Sequence, residues 1–289
     1  MAETGSFSQQ AARNSQAMTA AERRVVAYIL ANRERAIMAS AVVLARAAGT
    51  SDATVIRTAK RLGFGGLEGM RHALAMDLRS DLTLAERLSS SLADVGGKPA
   101  SILSKIVAIQ RAALDGMEAG IAPDEFEAFL TLICGSGRKL VFGIGPSGHL
   151  AGYFAQQLVR LGADALALGN TGLKFADDLV QMRADDVVIA LAYDRPYPEI
   201  TALFDRAIAL EIPRLLITAP GPVVPDERAD VCLHVPRGQS DGFSLHAATL
   251  ALIEVLIVGY AGRNRDNVLQ ALENLNSFRR SLVGESLDL

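Results

Sequence analysis

Five short apolar runs limit what this chain can fold into: Lys139–Ile144, Asp164–Leu168, Asp186–Ala192, Arg214–Thr218 and Asp230–Val235. Each is too short for a helix of ordinary length, and helical patterns separate most of them. Strands that read as nearly continuous apolar runs are buried on both faces, which is the signature of a parallel sheet covered by helices. Alternation of such runs with helices implies an α/β fold, a doubly wound five-stranded parallel sheet. Ligands of these sheets sit beyond the carboxyl ends of the strands.

The upstream sequence follows a different rule. Residues 19–80 read as helix after helix: Val25, Val26, Ile29 and Leu30 after a capping Thr19, then Val43, Leu44 and Ala47 from Ser40 to Gly49, then Ser51–Leu62, then about Gly66–Ser80. No strand-like alternation interrupts them. A small polar stretch follows, with Gly96-Gly97-Lys98-Pro99 at its centre, and it reads as a linker. The expected division is a small all-α domain over 1–80, a helical linker over 81–124, the α/β domain over 125–262 and a polar helical tail over 263–289. A length of 289 residues suits two domains of roughly 100–200 residues.

Composition excludes several classes. Half of the residues are hydrophobic, so the chain can bury a core and is not disordered. The longest apolar run, Ala247–Val258, is broken by Glu254 and falls short of the roughly 18–20 residues of a membrane span. No secretory signal pattern opens the sequence. Cys134 and Cys232 form neither a disulfide framework nor a zinc spacing; as free thiols they fit a cytoplasmic protein. The net charge of −3 hides an asymmetry, because residues 1–80 hold eleven Lys and Arg against six Asp and Glu, whereas the remainder is acidic. A polyanionic partner is expected for the first domain only.

Residues 41–62 fit two helices joined by a sharp turn, a helix-turn-helix. Leu44 and Ala45 face inward on the first helix, Gly49 supplies the left-handed turn, and Val55, Ile56 and Leu62 pack the second. Ser51 caps that second helix, which would lie in the DNA major groove. Asp52, Ala53, Thr54 and Arg57 are placed for base edges, and Arg57, Lys60 and Arg61 for phosphates. An ordinary helical hairpin with a solvated basic face shares this pattern. The stretches Thr19–Leu30, Ala45–Arg57 and Arg61–Gly66 resemble the N-terminal domain of RpiR-type (MurR/RpiR) transcriptional regulators. The resemblance implies that Ser51–Leu62 is the recognition helix, with Thr58 standing where many members carry an aromatic residue.

Downstream, Gly143-Ile-Gly145-Pro146-Ser147-Gly148 follows a strand and opens a helix. It satisfies G-x-G-x-x-G, but a dinucleotide site also wants an acidic residue at the end of the next strand, and Gly169-Asn170 stand there. Tight strand–helix packing without a ligand is another reading. Residues 125–262 resemble a sugar-isomerase (SIS) domain. In that fold the loop and the following helix N-terminus hold a phosphate through backbone N–H groups and a hydroxyl, here at Gly145, Pro146, Ser147 and Gly148. SIS domains usually carry a serine-rich loop after the third strand, and this chain has Ala192-Tyr193-Asp-Arg195-Pro-Tyr-Pro-Glu199 instead. Tyr193 and Arg195 are therefore candidate ligand contacts, with the Arg195 guanidinium standing in for lost hydroxyls or simply solvated. A third loop, residues 236–246, brings Ser244 as a further contact. His246 and His149 are more ordinary as packed, hydrogen-bonded residues.

Aldose–ketose isomerisation needs a base beside a carbonyl, and no motif gathers Glu199, Glu254 and His246. No metal cluster or nucleophile elbow is visible. The sequence reads as a non-enzymatic transcriptional regulator of carbohydrate or related metabolism, without a cofactor. It would sense a small anionic effector, foremost a phosphorylated sugar, and bind a double-stranded DNA operator. It would not engage membranes, and the resemblance implies a homodimer or homotetramer. A sugar-phosphate isomerase with an accessory helical domain is the alternative, and a dinucleotide-binding oxidoreductase a third.

Overall fold

The computed structural model describes residues 7–81, 83–96, 99–193, 197–220, 228–238 and 242–283. The chain forms two compact units that divide near Gly96.

The first unit is all helical: α1 (Phe7–Asn14), α2 (Ala20–Ala31), α3 (Arg33–Met38), α4 (Ala41–Ala47), α5 (Asp52–Arg61), α6 (Leu67–Asp81) and α7 (Leu84–Val95). Its core holds Phe7, Val25, Ile29, Leu44, Ala45, Val55, Leu62, Met70 and Leu74. Backbone bonds close the α4–α5 turn. Gly49, at φ +62°, allows its own N–H to reach Arg46 O and Thr50 N–H to reach Ala45 O at 2.9 Å, a Schellman closure. Ser51 Oγ accepts from Thr54 N–H and starts α5, as expected. Ile56, expected to pack α5, lies on the outside, and Leu30, Val43 and Ala47 of the helical patterns are also exposed; Val55 and Ala59 take the inner face of α5.

The N-terminus of α2 is a capping box, in which Thr19 N–H donates to Glu22 at 2.8 Å and Glu22 N–H donates to Thr19 Oγ1. The same carboxylate pairs with Arg61 Nε at 3.2 Å and so ties the start of α2 to the end of α5.

The second unit opens with α8 (Pro99–Gly120) and α9 (Pro123–Gly135). It continues with β1 (Lys139–Gly143), α10 (Pro146–Arg160), β2 (Ala165–Leu168), α11 (Phe175–Val180), β3 (Val187–Leu191), α12 (Pro198–Ala209), β4 (Arg214–Thr218), β5 (Val231–His234), α13 (Ala247–Arg263) and α14 (Arg265–Val283). The five strands form one parallel sheet in the order β2-β1-β3-β4-β5. Every residue of β1 and β3 is buried. One face packs Val141, Ile189 and Ile217 against Phe129, Phe154 and Leu252; the other packs Leu140, Phe142 and Val188 against Leu203 and Phe204. From β1 the chain leaves toward β2, then returns to place β3 on the opposite side of β1, so the topological switch point lies between β1 and β3.

The amino ends of those two strands are held by charge. Arg138 Nε and Nη2 donate to the two carboxylate oxygens of Asp186, each at 2.9 Å, and Arg183 N–H donates to the same carboxylate at 2.7 Å. Asp186 is fully buried, and its hydrogen bonds raise the Arg138 pKa above the usual guanidinium value. Among the described residues no single helix is long and apolar enough to cross a membrane.

Two predictions follow from these clamps. Asp186→Ala removes the buried carboxylate that receives three donors and leaves the half-buried Arg138 guanidinium without its anion, and is expected to lower unfolding free energy by about 3 kcal/mol in denaturant titration. Glu22 is held below its ordinary pKa of 4.5, first by the Thr19 backbone N–H and also by Arg61. A depressed carboxylate contributes stability that is complete above its unfolded pKa and is lost as pH falls through the folded value. Glu22→Gln should therefore lower the melting temperature at neutral pH and flatten its decline below about pH 4.5.

Candidate functional site

Two regions gather the residues singled out in the sequence. In the first unit, α5 presents Ser51, Asp52, Ala53, Arg57, Lys60 and Arg61 at the surface. Asp52 Oδ1 accepts from Ala53 N–H at 2.8 Å, which closes the first turn. Thr54 differs from expectation, because its side chain is buried and shares a 2.9 Å hydrogen bond with Ser51 Oγ. It also accepts from Arg57 Nη2 at 3.3 Å, so Thr54 orients Arg57 from below. Arg61, although exposed, is committed at both ends of its guanidinium, to Glu22 and to Ala17 O at 2.7 Å. Thr58 fills its fully buried position by bonding back to Thr54 O at 2.8 Å, so the absent aromatic ring leaves no polar debt. Sequence reading missed Arg24, whose guanidinium donates to Ala48 O and Gly49 O and locks the turn.

In the second unit the glycine loop lies at the switch point. A Cβ at Gly143 would stand 2.5 Å from Ser147 O and 2.9 Å from Gly148 N, so only glycine lets the strand end approach the first turn of α10. Gly145, at φ +60°, forms the N-cap and Pro146 opens the helix. Gly148 N–H closes the turn on Gly145 O at 2.9 Å. Ser147 is buried beneath the loop, whereas Gly145, Pro146 and His149 are exposed. Pro146 has no N–H and that of Gly148 is used internally, so Ser147 and the remaining first-turn amides carry the donor capacity of this end.

Gly143 is level with Leu191, and Tyr193 follows two residues beyond, at the same carboxyl edge. Tyr193 is buried, its hydroxyl shares a 2.9 Å bond with Thr249 Oγ1 of α13, and the Arg237 guanidinium lies 3.9 Å over its ring. The hydroxyl and one ring face of Tyr193 are thus both engaged within the second unit. The guanidinium also contacts His246 Nε2 at 3.2 Å. Burial, and secondarily the Arg237 charge, depress the His246 pKa below 6.5. Ser244 is half-buried. Arg195 lies outside the described residues. Arg237 and Thr249 carried no signal in the sequence, because Tyr193 and Thr249 meet across 56 positions and the latter sits inside an apolar helix.

The acid–base candidates do not share partners. Glu199 accepts from Gly172 N–H at 3.0 Å, Glu254 faces Tyr153 OH at 3.4 Å, and His246 holds Arg237. Beyond β2, Asn170 donates to Asp178 at 2.9 Å. Among the described residues no group of three or more His, Cys, Asp and Glu side chains could hold a metal ion.

Comparison with known proteins agrees with both units. The rpiR-family helix-turn-helix domain model matches residues 7–81, and the SIS domain model matches residues 132–259. YbbH of Bacillus subtilis strain 168, an uncharacterized HTH-type transcriptional regulator, is 27% identical over 273 residues, covering 90% of this chain and 92% of its own. YfhH of Escherichia coli K12, of the same description, is 26% identical over 223 residues, 76% of this chain and 77% of its own. Among solved structures, Vibrio vulnificus NanR complexed with ManNAc-6P aligns over 96% of this chain and 99% of its own, with TM-score 0.59 and 19% identity. The sugar isomerase domain of an RpiR transcription factor from Sphaerobacter thermophilus covers 60% of this chain and 97% of its own, with TM-score 0.56 and 21% identity. The chain therefore belongs to the RpiR-type transcriptional regulators, built from an rpiR helix-turn-helix domain followed by a SIS domain.

Proposed function

We propose that this regulator controls genes of carbohydrate or related metabolism and senses a small anionic metabolite, foremost a sugar phosphate, at the carboxyl edge of its SIS sheet. The observation that carries the reading is the shape of the glycine loop. Gly143 and Gly145 are both needed to bring the strand end, Ser147 and the α10 N-terminus together, an arrangement that favours an anion through the helix dipole. The ManNAc-6P in the NanR complex supports the chemical class by analogy of fold. Regulation without turnover is the accompanying reading, since Glu199, Glu254 and His246 each answer to a different partner.

The DNA contacts are assigned to Ser51, Asp52, Ala53, Arg57 and Lys60, with Thr54 and Arg61 holding the helix that presents them. A homodimer or homotetramer would set two recognition helices about 34 Å apart on a near-palindromic operator. Apolar side chains outside the core on α13 and α14, namely Val255, Val258, Leu269, Phe278 and Leu282, supply surface for that association.

Selection of genomic fragments on the purified protein at near-physiological salt tests the reading, and an enriched inverted repeat is expected; absence of enrichment across a salt series would overturn it. Arg57→Ala should weaken operator binding about tenfold and reduce the salt slope by about one. Ser147→Ala should leave operator affinity intact and blunt its response to a pool of sugar phosphates, read by fluorescence anisotropy.

A further inference from the structure

We propose that His246 is a direct effector contact, presenting its Nδ1–H to an acceptor oxygen of a small anion, and that Arg237 fixes the imidazole in the tautomer this requires. The inference deepens the SIS effector reading and rests on it. A guanidinium carries donors only, so in the 3.2 Å contact Arg237 Nη2 donates and His246 Nε2 accepts. A neutral imidazole that accepts at Nε2 must carry its proton on Nδ1. The tautomer is thus dictated by its neighbour.

That Nδ1 is buried and has no hydrogen-bond partner among the described residues. Leaving a donor in this condition costs folding free energy, and the cost is recovered when an acceptor arrives. The surroundings specify the kind of acceptor. His246 is the N-cap of α13 and makes no side-chain cap bond, so the partial positive charge of that helix end adds to the nearby guanidinium. The imidazole N–H and the helix amides are donors. An oxyanion satisfies them; a cation or an apolar group does not.

The group is held rigidly. The Thr249–Tyr193 bond at 2.9 Å anchors the phenol, whose ring carries the guanidinium at 3.9 Å, and the guanidinium orients the imidazole. Three segments meet there: the residues after β3, the residues after β5 and the first turn of α13. Arg237 and Tyr193 are positioning residues in this arrangement, and His246 makes the contact.

The test uses the full-length protein labelled with ¹⁵N-histidine, whose four histidines give a resolvable long-range ¹H–¹⁵N spectrum. Without added ligand at neutral pH, His246 is expected as the neutral Nδ1–H tautomer, and the Nε2–H tautomer or imidazolium would overturn the proposal whatever the effector proves to be. Inorganic phosphate, and separately a mixture of aldose and ketose phosphates, should then shift the His246 Nδ1–H signal saturably. If either probe raises the melting temperature in a Ser147-dependent way while the His246 signal stays fixed, the proposal falls and the SIS effector site stands. If neither probe changes spectrum or melting, both fall. By the same readouts His246→Leu should weaken the response at least about tenfold, whereas His246→Asn, whose amide places an N–H near the same point, should recover much of it. Equal loss in the two variants would mark His246 as structural and overturn the contact.

Discussion

The adjacency of β1 and β3 is the constraint on which the second unit depends. The two strands are buried along their whole length, and the chain departs from them in opposite directions across the sheet. In open α/β sheets such a switch point is where ligands bind, beyond the carboxyl ends of the strands. Their amino ends are closed by the Arg138–Asp186 fork, in which one buried carboxylate receives three donors. A buried ion pair adds little net stability over a packed apolar pair, but breaking it is costly, so it acts as a register pin. With Lys139 level with Val187 and Gly143 level with Leu191, the glycine loop and Tyr193 reach the carboxyl edge at the same height.

The first unit solves a different problem, holding a short helix still enough to be read against DNA. Helix α5 has ten residues and is too short to be stable alone. It is capped by Ser51 at one end and closed at the other by Phe64 N–H on Ala59 O, with Gly63 at φ +89°. Arg24 and Arg61 are spent on carbonyls and on Glu22, so part of the positive charge counted in the sequence belongs to scaffolding. Arg57 and Lys60 remain exposed on the surface of α5, where the proposed DNA contact would use them.

Much of this was legible in the chain. The five strands, the Thr19 and Ser51 caps and the Gly49 turn follow from local chemistry, because apolar runs, capping hydroxyls and a left-handed glycine leave few alternatives. Faces were harder to read. Val55 and Ile56 are neighbours of equal hydrophobicity, and only the packing of α4 and α2 against α5 decides that Val55 enters the core. Thr54 reads as a surface hydroxyl until its bond to Ser51 turns it inward. The Arg237–His246–Tyr193–Thr249 group was not legible, since its members come from three separated segments and each is unremarkable alone. Tyr193, read from sequence as a ligand contact, carries the Arg237 guanidinium over its ring.

Effector sensing requires that ligand bind the DNA-competent and DNA-incompetent arrangements with different affinity; equal binding shifts nothing, however tight it is. In the proposed arrangement the element able to produce such a difference is α13. His246 caps its first turn, while Val255 and Val258 project from the same helix outside the core. Twelve residues of α-helix separate His246 from Val258, roughly 18 Å of rigid rod. The helix is buried along Ala248, Leu252, Ile253, Leu256 and Tyr260, and close packing along that face favours its moving as one body. An anion drawn to the His246 Nδ1–H would thus act on the same rod that offers apolar surface to a second subunit. In the proposed homo-oligomer, subunit geometry would set the spacing of the two recognition helices. On the proposed reading, a contact made at His246 would be coupled to operator affinity through one helix, without any ligand approaching the DNA.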